Sequence, residues 1–113
     1  MKVMGRFDEL FYAPLRGQFE RCLAEYIAPR RWFRSKTRVV AGLSLDEVIP
    51  LPMSVEAALL VLHVRYTEGP PEDYVLPLTW VGGEAGEQLV RSRPHLLVGA
   101  VTVGDEARPR WIV

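Results

Sequence analysis

The sequence predicts an α+β fold: one amphipathic N-terminal helix packed on an antiparallel sheet of four to five strands. Two observations predict it. From Leu15 to Ile27 apolar residues recur every three to four positions, the period of a helix with one buried face. After Arg38 the period drops to two, which marks strands with one buried face. The chain length of 113 residues sets the scale: a single domain over residues 1–113, with one core and too little chain for a two-lobed enzyme.

The elements follow in order along the chain. Phe7 to Tyr12 reads as a short turn of helix with Asp8 as its cap. Pro14 opens the main helix, because its fixed φ and missing N–H suit a first turn. Leu15, Phe19, Leu23 and Ile27 form the buried stripe, Cys22 and Tyr26 widen it, and Pro29 stops the helix. In the first strand Val39, Ala41, Leu43 and Leu45 share a face; in the second Leu60, Leu62, Val64 and Tyr66 do. Glu68-Gly69-Pro70-Pro71 connects the second strand to the third, whose face is Tyr74, Leu76, Leu78 and Trp80. Pro77 cannot donate a ladder hydrogen bond, which places this strand at an edge or gives it a bulge there. Gly82 to Gly86 reads as a loop, and Glu87 to Arg93 as a short helix or more of that loop. Leu97, Gly99, Val101 and Val103 form a fourth strand, and a turn at Gly104 to Ala107 leads to a fifth strand begun at Arg110. The sequence stops inside that strand, which reads as a piece cut from a longer protein. An unpaired edge there predicts a homodimer joined through the C-terminal strand.

Composition excludes several function classes. Hydrophobic residues at 49% and charged residues at 25% are ordinary for a folded domain. The net charge is +0, so no global field draws nucleic acid or membrane. Beneath that zero, residues 1–38 carry nine basic and four acidic groups, and residues 39–113 five and ten. Such asymmetry hints at an interaction surface or at two faces that attract each other. One cysteine excludes a disulfide framework. With no long apolar run and no secretory leader, the expected location is cytoplasmic.

Catalytic chemistry finds no foothold. Cys22, His63 and His95 are isolated along the sequence, with no metal-ligand spacing, and His63 on its strand reads as a structural histidine. The glycines at 82, 83 and 86 fit no phosphate-binding motif. No catalytic, cofactor-binding or metal-ligating residue is therefore assigned. One constellation stands out: from Arg30 to Arg38, five cations surround Trp32 and Phe33. Phosphate neutralisation and base stacking could use such a set. The simpler reading is that Trp32 and Phe33 plug the helix end into the sheet, Trp32 mostly buried, with the arginines at the rim and no nucleic-acid partner.

The same stretch resembles the N-terminal cap domain of maltokinases, bacterial kinases of the aminoglycoside-phosphotransferase type that phosphorylate maltose with ATP, some of them fused to trehalose synthase. The resemblance lies in Leu23-Ala24-Glu25-Tyr26 leading to Arg31-Trp32-Phe33 and Lys36, and in the hairpin Val64-Arg65-Tyr66-Thr67-Glu68-Gly69 followed by Glu72-Asp73-Tyr74. The family commonly has two glycines where this chain has Arg34-Ser35. The resemblance implies that Arg31, Trp32, Phe33, Lys36, Tyr66, Gly69 and Tyr74 are structural motif residues. It also implies a non-catalytic cap whose partner is the kinase lobe of the same parent chain, with ATP and Mg handled by the parent. The competing readings are a free-standing interaction domain that pairs through a sheet edge and a small nucleic-acid binder using Arg30 to Arg38.

Overall fold

A computed structural model of the chain describes every residue except Arg31, Ser35 and Lys36. Its order is β1 (Lys2–Val3), a 3-10 turn (Phe7–Phe11), α1 (Arg16–Ile27), β2 (Val40–Pro50), β3 (Ala57–Tyr66), β4 (Glu72–Val81), α2 (Gly83–Ser92), a second 3-10 turn (Pro94–Leu96), β5 (Gly99–Val103) and β6 (Arg110–Ile112). The strands form one sheet in the order β1-β5-β6-β4-β3-β2.

The fold class is α+β as expected, but the sheet has six strands and is not wholly antiparallel. β1 pairs parallel to β5, with Lys2 opposite Thr102 and Val3 opposite Val103. A strand of two residues shows no alternation to read. Its pairing is fixed from outside, by the Thr102 N–H donating to the Met1 carbonyl at 2.9 Å and the Gly104 N–H to the Val3 carbonyl at 2.9 Å.

The central strands follow their alternation. Leu60, Leu62 and Val64 are fully buried, and Tyr66, Tyr74, Leu76, Leu78 and Trp80 nearly so. Facing them, Phe19, Leu23 and Ile27 of α1 are likewise fully buried, as a stripe at 3.6-residue period requires. Pro14 does not open the helix. It follows a cis peptide bond from Ala13, and α1 begins at Arg16. At its other end the helix stops at Ile27, two residues before Pro29.

α1 is tied to the sheet at its N-terminal end, and the residue run just after it is tied to the second 3-10 turn. Arg16 donates to the Leu45 carbonyl, and Glu20 accepts the Leu45 N–H at 2.7 Å. Leu45 lies where the β2–β3 register slips, between the pairs Leu45–Leu62 and Glu47–Val61. The helix thus satisfies backbone groups on an edge strand that would otherwise invite pairing with another chain. Beyond the far end Arg30 donates to the His95 carbonyl at 2.6 Å.

Pro77 sits opposite Leu59 in the β3–β4 ladder. Thr79 exchanges both backbone hydrogen bonds with Val113, at 3.0 Å each, so by alternation the N–H position of Pro77 also turns away from β3. It lies beyond the last β6 pairing, where β4 has become an edge. The C-terminal strand is a different matter. β6 is flanked by β5 on one side and β4 on the other, and Ile112 is fully buried. It offers no open edge, so the expected dimer through it loses its basis.

The segment expected as a glycine loop is the start of α2. Gly83 takes a φ of +66° at its first position, a conformation glycine adopts without strain. Gly86 is needed for a different reason: a Cβ there would lie 2.7 Å from the Val81 carbonyl oxygen and 3.0 Å from Cδ1 of Trp111. Helix propensity alone would make Gly86→Ala stabilising by about 1 kcal/mol. The clash with backbone should reverse the sign, for a net loss of about 1–3 kcal/mol, read as a lowered denaturant midpoint. A raised midpoint would show that α2 can move off β4 freely.

The first 3-10 turn is held by Glu9, not by Asp8. The Glu9 carboxylate accepts backbone N–H bonds from Met4 (2.9 Å), Gly5 (3.0 Å) and Arg6 (2.7 Å), while Asp8 pairs with the Arg6 guanidinium at 2.9 Å. Those backbone bonds, that from Met4 foremost, hold the Glu9 carboxyl below the usual range. A lowered carboxyl pKa stabilises the fold above its unfolded value and ceases to do so as pH falls through the folded one. Glu9→Ala should therefore lower the thermal midpoint at neutral pH, with the gap to wild type closing on acidification. A gap that stays constant into strong acid would exclude this role.

Candidate functional site

The loop after α1 and the β3–β4 hairpin, the two stretches that carry the sequence motifs, meet in space. β3 delivers Tyr66 and β4 delivers Glu72 and Tyr74 on the same buried face, because strand residues two apart share a side. Phe33, almost fully buried, lies against both tyrosines, with ring centroids 6.4 Å from Tyr66 and 5.4 Å from Tyr74. Oε1 of Glu72 accepts both phenol O–H groups, from Tyr66 at 2.7 Å and Tyr74 at 3.2 Å. The Tyr74 oxygen accepts the Arg34 N–H at 3.2 Å.

Arg38 closes the cluster. Its guanidinium lies over the Tyr66 ring, 3.7 Å from the centroid, and 4.0 Å from the Glu72 carboxylate. It also donates to the carbonyls of Glu68 (3.1 Å) and Pro70. The hairpin turn fits around it: Gly69 has a φ of +87°, and a Cβ there would stand 2.9 Å from Nη2 of Arg38. Five of the seven expected motif residues, Trp32, Phe33, Tyr66, Gly69 and Tyr74, thus converge on one cluster. Arg31 and Lys36 lie outside the described residues. The geometry is that of a rivet: the carboxylate is engaged by two phenols and a guanidinium, which fixes the loop to the hairpin.

Trp32 is not the buried plug expected. It is 42% exposed, leaning on Tyr74 with centroids 5.7 Å apart. The chain turns here, with the Phe33 N–H donating to the Arg30 carbonyl at 3.1 Å, and with Phe33 in the core Trp32 faces out. With Arg34, Val75 and Pro77 it borders a shallow groove of about 420 Å³ along the open part of β4. The arginine run is partly spent within the fold. Arg30 donates to the carbonyls of Tyr26 and His95, and Arg38 to those of the hairpin. Among the described residues one ion pair, Arg38–Glu72, joins the basic N-terminal part to the acidic remainder.

A depression of about 720 Å³ lies at the start of α2. Its Arg110 is held by Glu106 at 2.6 Å and lies over Trp80, 4.6 Å from the centroid. Burial, and then the nearby Glu25, push the Cys22 thiol up, and its sulfur contacts the Val98 carbonyl at 3.8 Å. This is the setting of an inert cysteine.

Sequence reading missed one grouping. His63, isolated along the chain, is joined on the sheet by Asp46 and Asp73, with one ligand-capable atom from each residue all within 4.8 Å of one another. Nδ1 of His63 is 2.7 Å from the Asp73 carboxylate. Strand pairing makes these neighbours from residues 17 and 10 positions apart, spacings that no linear motif encodes.

Among the described residues no helix is long and apolar enough to cross a membrane. The fold and the cluster together define a small α+β module built around a riveted loop and hairpin. The family model of the maltokinase N-terminal cap domain matches residues 26–113, and the chain belongs to that family. The match takes in β2 to β6 and the whole aromatic cluster. No solved structure matches the chain.

Proposed function

We propose that this chain is the non-catalytic cap of a maltokinase-like carbohydrate kinase, packing on the nucleotide-binding lobe of the same parent chain and modulating how that lobe moves. The family match over residues 26–113 is the observation that supports it. The parent would phosphorylate maltose or a related sugar with Mg-ATP in the cytoplasm. Those ligands belong to the parent's kinase portion. The start of α2 does not suit a nucleotide phosphate, since the guanidinium beside it is already bound by Glu106. Lobe and lid motions often limit turnover, so a cap can set the rate without touching substrate. The groove bordered by Trp32 and Val75 is the surface assigned to that contact, because both side chains are large, apolar and exposed (42% and 62%).

Trp32→Ala and Val75→Asp, made in the full-length parent kinase, test it. Exposed positions should leave stability within about 0.5 kcal/mol of wild type, while kcat changes several-fold at unchanged KM for the sugar. Wild-type kcat in both variants would remove this groove as the contact. Wild-type kcat in a folded kinase lacking the cap would remove the modulating role itself.

A further inference from the structure

We propose that Asp46, His63 and Asp73 form a binding site for a borderline divalent transition-metal ion such as zinc. It lies on the face of the sheet opposite α1. The three residues come from three neighbouring strands, β2, β3 and β4. His63 stands directly opposite Asp73 in the β3–β4 ladder and opposite Ser44 in the β2–β3 ladder.

Asp46 arrives by way of the bulge. In an unbroken ladder it would sit opposite Val61, one full pleat repeat from His63. Instead Glu47 takes the place opposite Val61, and Asp46 is the extra residue between the pairs Leu45–Leu62 and Glu47–Val61. Bulges of this kind re-aim a side chain; here a carboxylate comes into the group around the imidazole. The Ser44 hydroxyl, itself accepting from Arg65 at 3.1 Å, lies 3.4 Å from Oδ1 of Asp46 and orients it from outside the trio. Outer hydrogen bonds of this sort are what position metal-binding carboxylates.

The donor set decides the ion class. One imidazole nitrogen with two carboxylate oxygens suits zinc and its first-row neighbours better than calcium or magnesium, which favour oxygen alone. Three protein ligands leave a fourth position for water. Access is unobstructed, since the His63 and Asp73 side chains are 30% and 63% exposed. A bound ion would also separate two carboxylates that otherwise face each other across one histidine, and would pin the edge strand β2 to β3 and β4. This inference does not depend on the cap reading.

Calorimetric titration of the untagged chain with zinc chloride tests it, with folding of each variant checked by its thermal midpoint in chelator. A single equivalent should bind and raise the thermal midpoint, as any ligand selective for the folded state does. His63→Ala and Asp46→Asn should each weaken binding by about tenfold or more, and His95→Ala should leave it unchanged. Three outcomes would overturn the site: no saturable binding, binding that depends on His95 and not on His63, or an Asp46→Asn variant that binds like wild type. The last would reduce the group to a His63–Asp73 ion pair.

Discussion

Phe19→Ala should destabilise the chain by about 3–5 kcal/mol, the range for deleting a buried aromatic side chain. Phe19 has no exposed surface and is the first residue of the buried stripe Phe19-Leu23-Ile27 that α1 turns to the sheet. Its ring meets Phe11 of the first 3-10 turn, with centroids 5.7 Å apart, and Phe11 meets Phe7 at 5.3 Å. Phe7 in turn lies 5.3 Å from Trp80 of β4. Removing one ring therefore opens a void between three elements that cannot all close on it, because α1 is held at its N-terminal end by Arg16 and Glu20 and just beyond its C-terminal end by Arg30. Against a total stability of about 5–15 kcal/mol for a domain of ordinary size, the loss is a large share. Urea titration followed by far-ultraviolet circular dichroism would measure it. A change below about 1 kcal/mol would mean that the helix does not seal the core.

The parts of this fold that were legible in the sequence are those whose side chains alone carry the signal. α1, β3 and β4 each bury one regular face, so Phe19-Leu23-Ile27 and Leu60-Leu62-Val64 could be read directly from period. The illegible parts have their reasons in backbone or in partners far along the chain. β1 is too short to alternate. Val39 is 66% exposed although it continues the alternation of Leu43 and Leu45, because the register slips between Val40 and Gly42. α2 hides behind glycines that mark a loop in most sequences; here they serve a positive φ at Gly83 and a close approach at Gly86.

The candidate site divides the same way. The motif residues could be named one by one, Glu72 of Glu72-Asp73-Tyr74 included, but not that the Glu72 carboxylate joins both tyrosines, and Arg38 over Tyr66 belongs to neither motif. Glu72 and Arg38 bind the loop to the hairpin across residues 34 positions apart. Adjacent aromatics in the sequence suggest burial of both, whereas the chain turning through this loop buries Phe33 and presents Trp32. His63 looked solitary because strand pairing, unlike helical spacing, brings together residues at no fixed separation. The bulge that adds Asp46 leaves no mark in composition.

Removing residues 110–113 should abolish cooperative folding. β6 is the sole strand between β4 and β5, so β5 and β1 reach the rest of the sheet only through it. Its bonds run to both sides: Val113 exchanges two with Thr79 at 3.0 Å each, and the Ile112 carbonyl accepts the Val98 N–H at 2.8 Å. Ile112 is fully buried, and its loss alone is worth about 2–5 kcal/mol. Each ladder bond adds about 1 kcal/mol, and Trp111 would no longer cover Gly86 at the start of α2. The sum approaches the whole stability of a small domain. The truncated chain should show a broad thermal transition and lose its near-ultraviolet dichroism, with Ile112→Ala as the milder variant that still unfolds cooperatively at a lower midpoint. Self-association should change as well. The intact C-terminal strand has both edges paired, whereas the truncation extends the open edge of β4 over Thr79 to Val81 and bares one side of β5, and unpaired backbone beside apolar surface favours strand exchange. Sedimentation should therefore show larger species in the truncated chain and none assembled through residues 110–113 in the intact one. A truncated chain that stays monomeric and unfolds within about 1 kcal/mol of the intact one would mean that β6 decorates the sheet and does not hold it together.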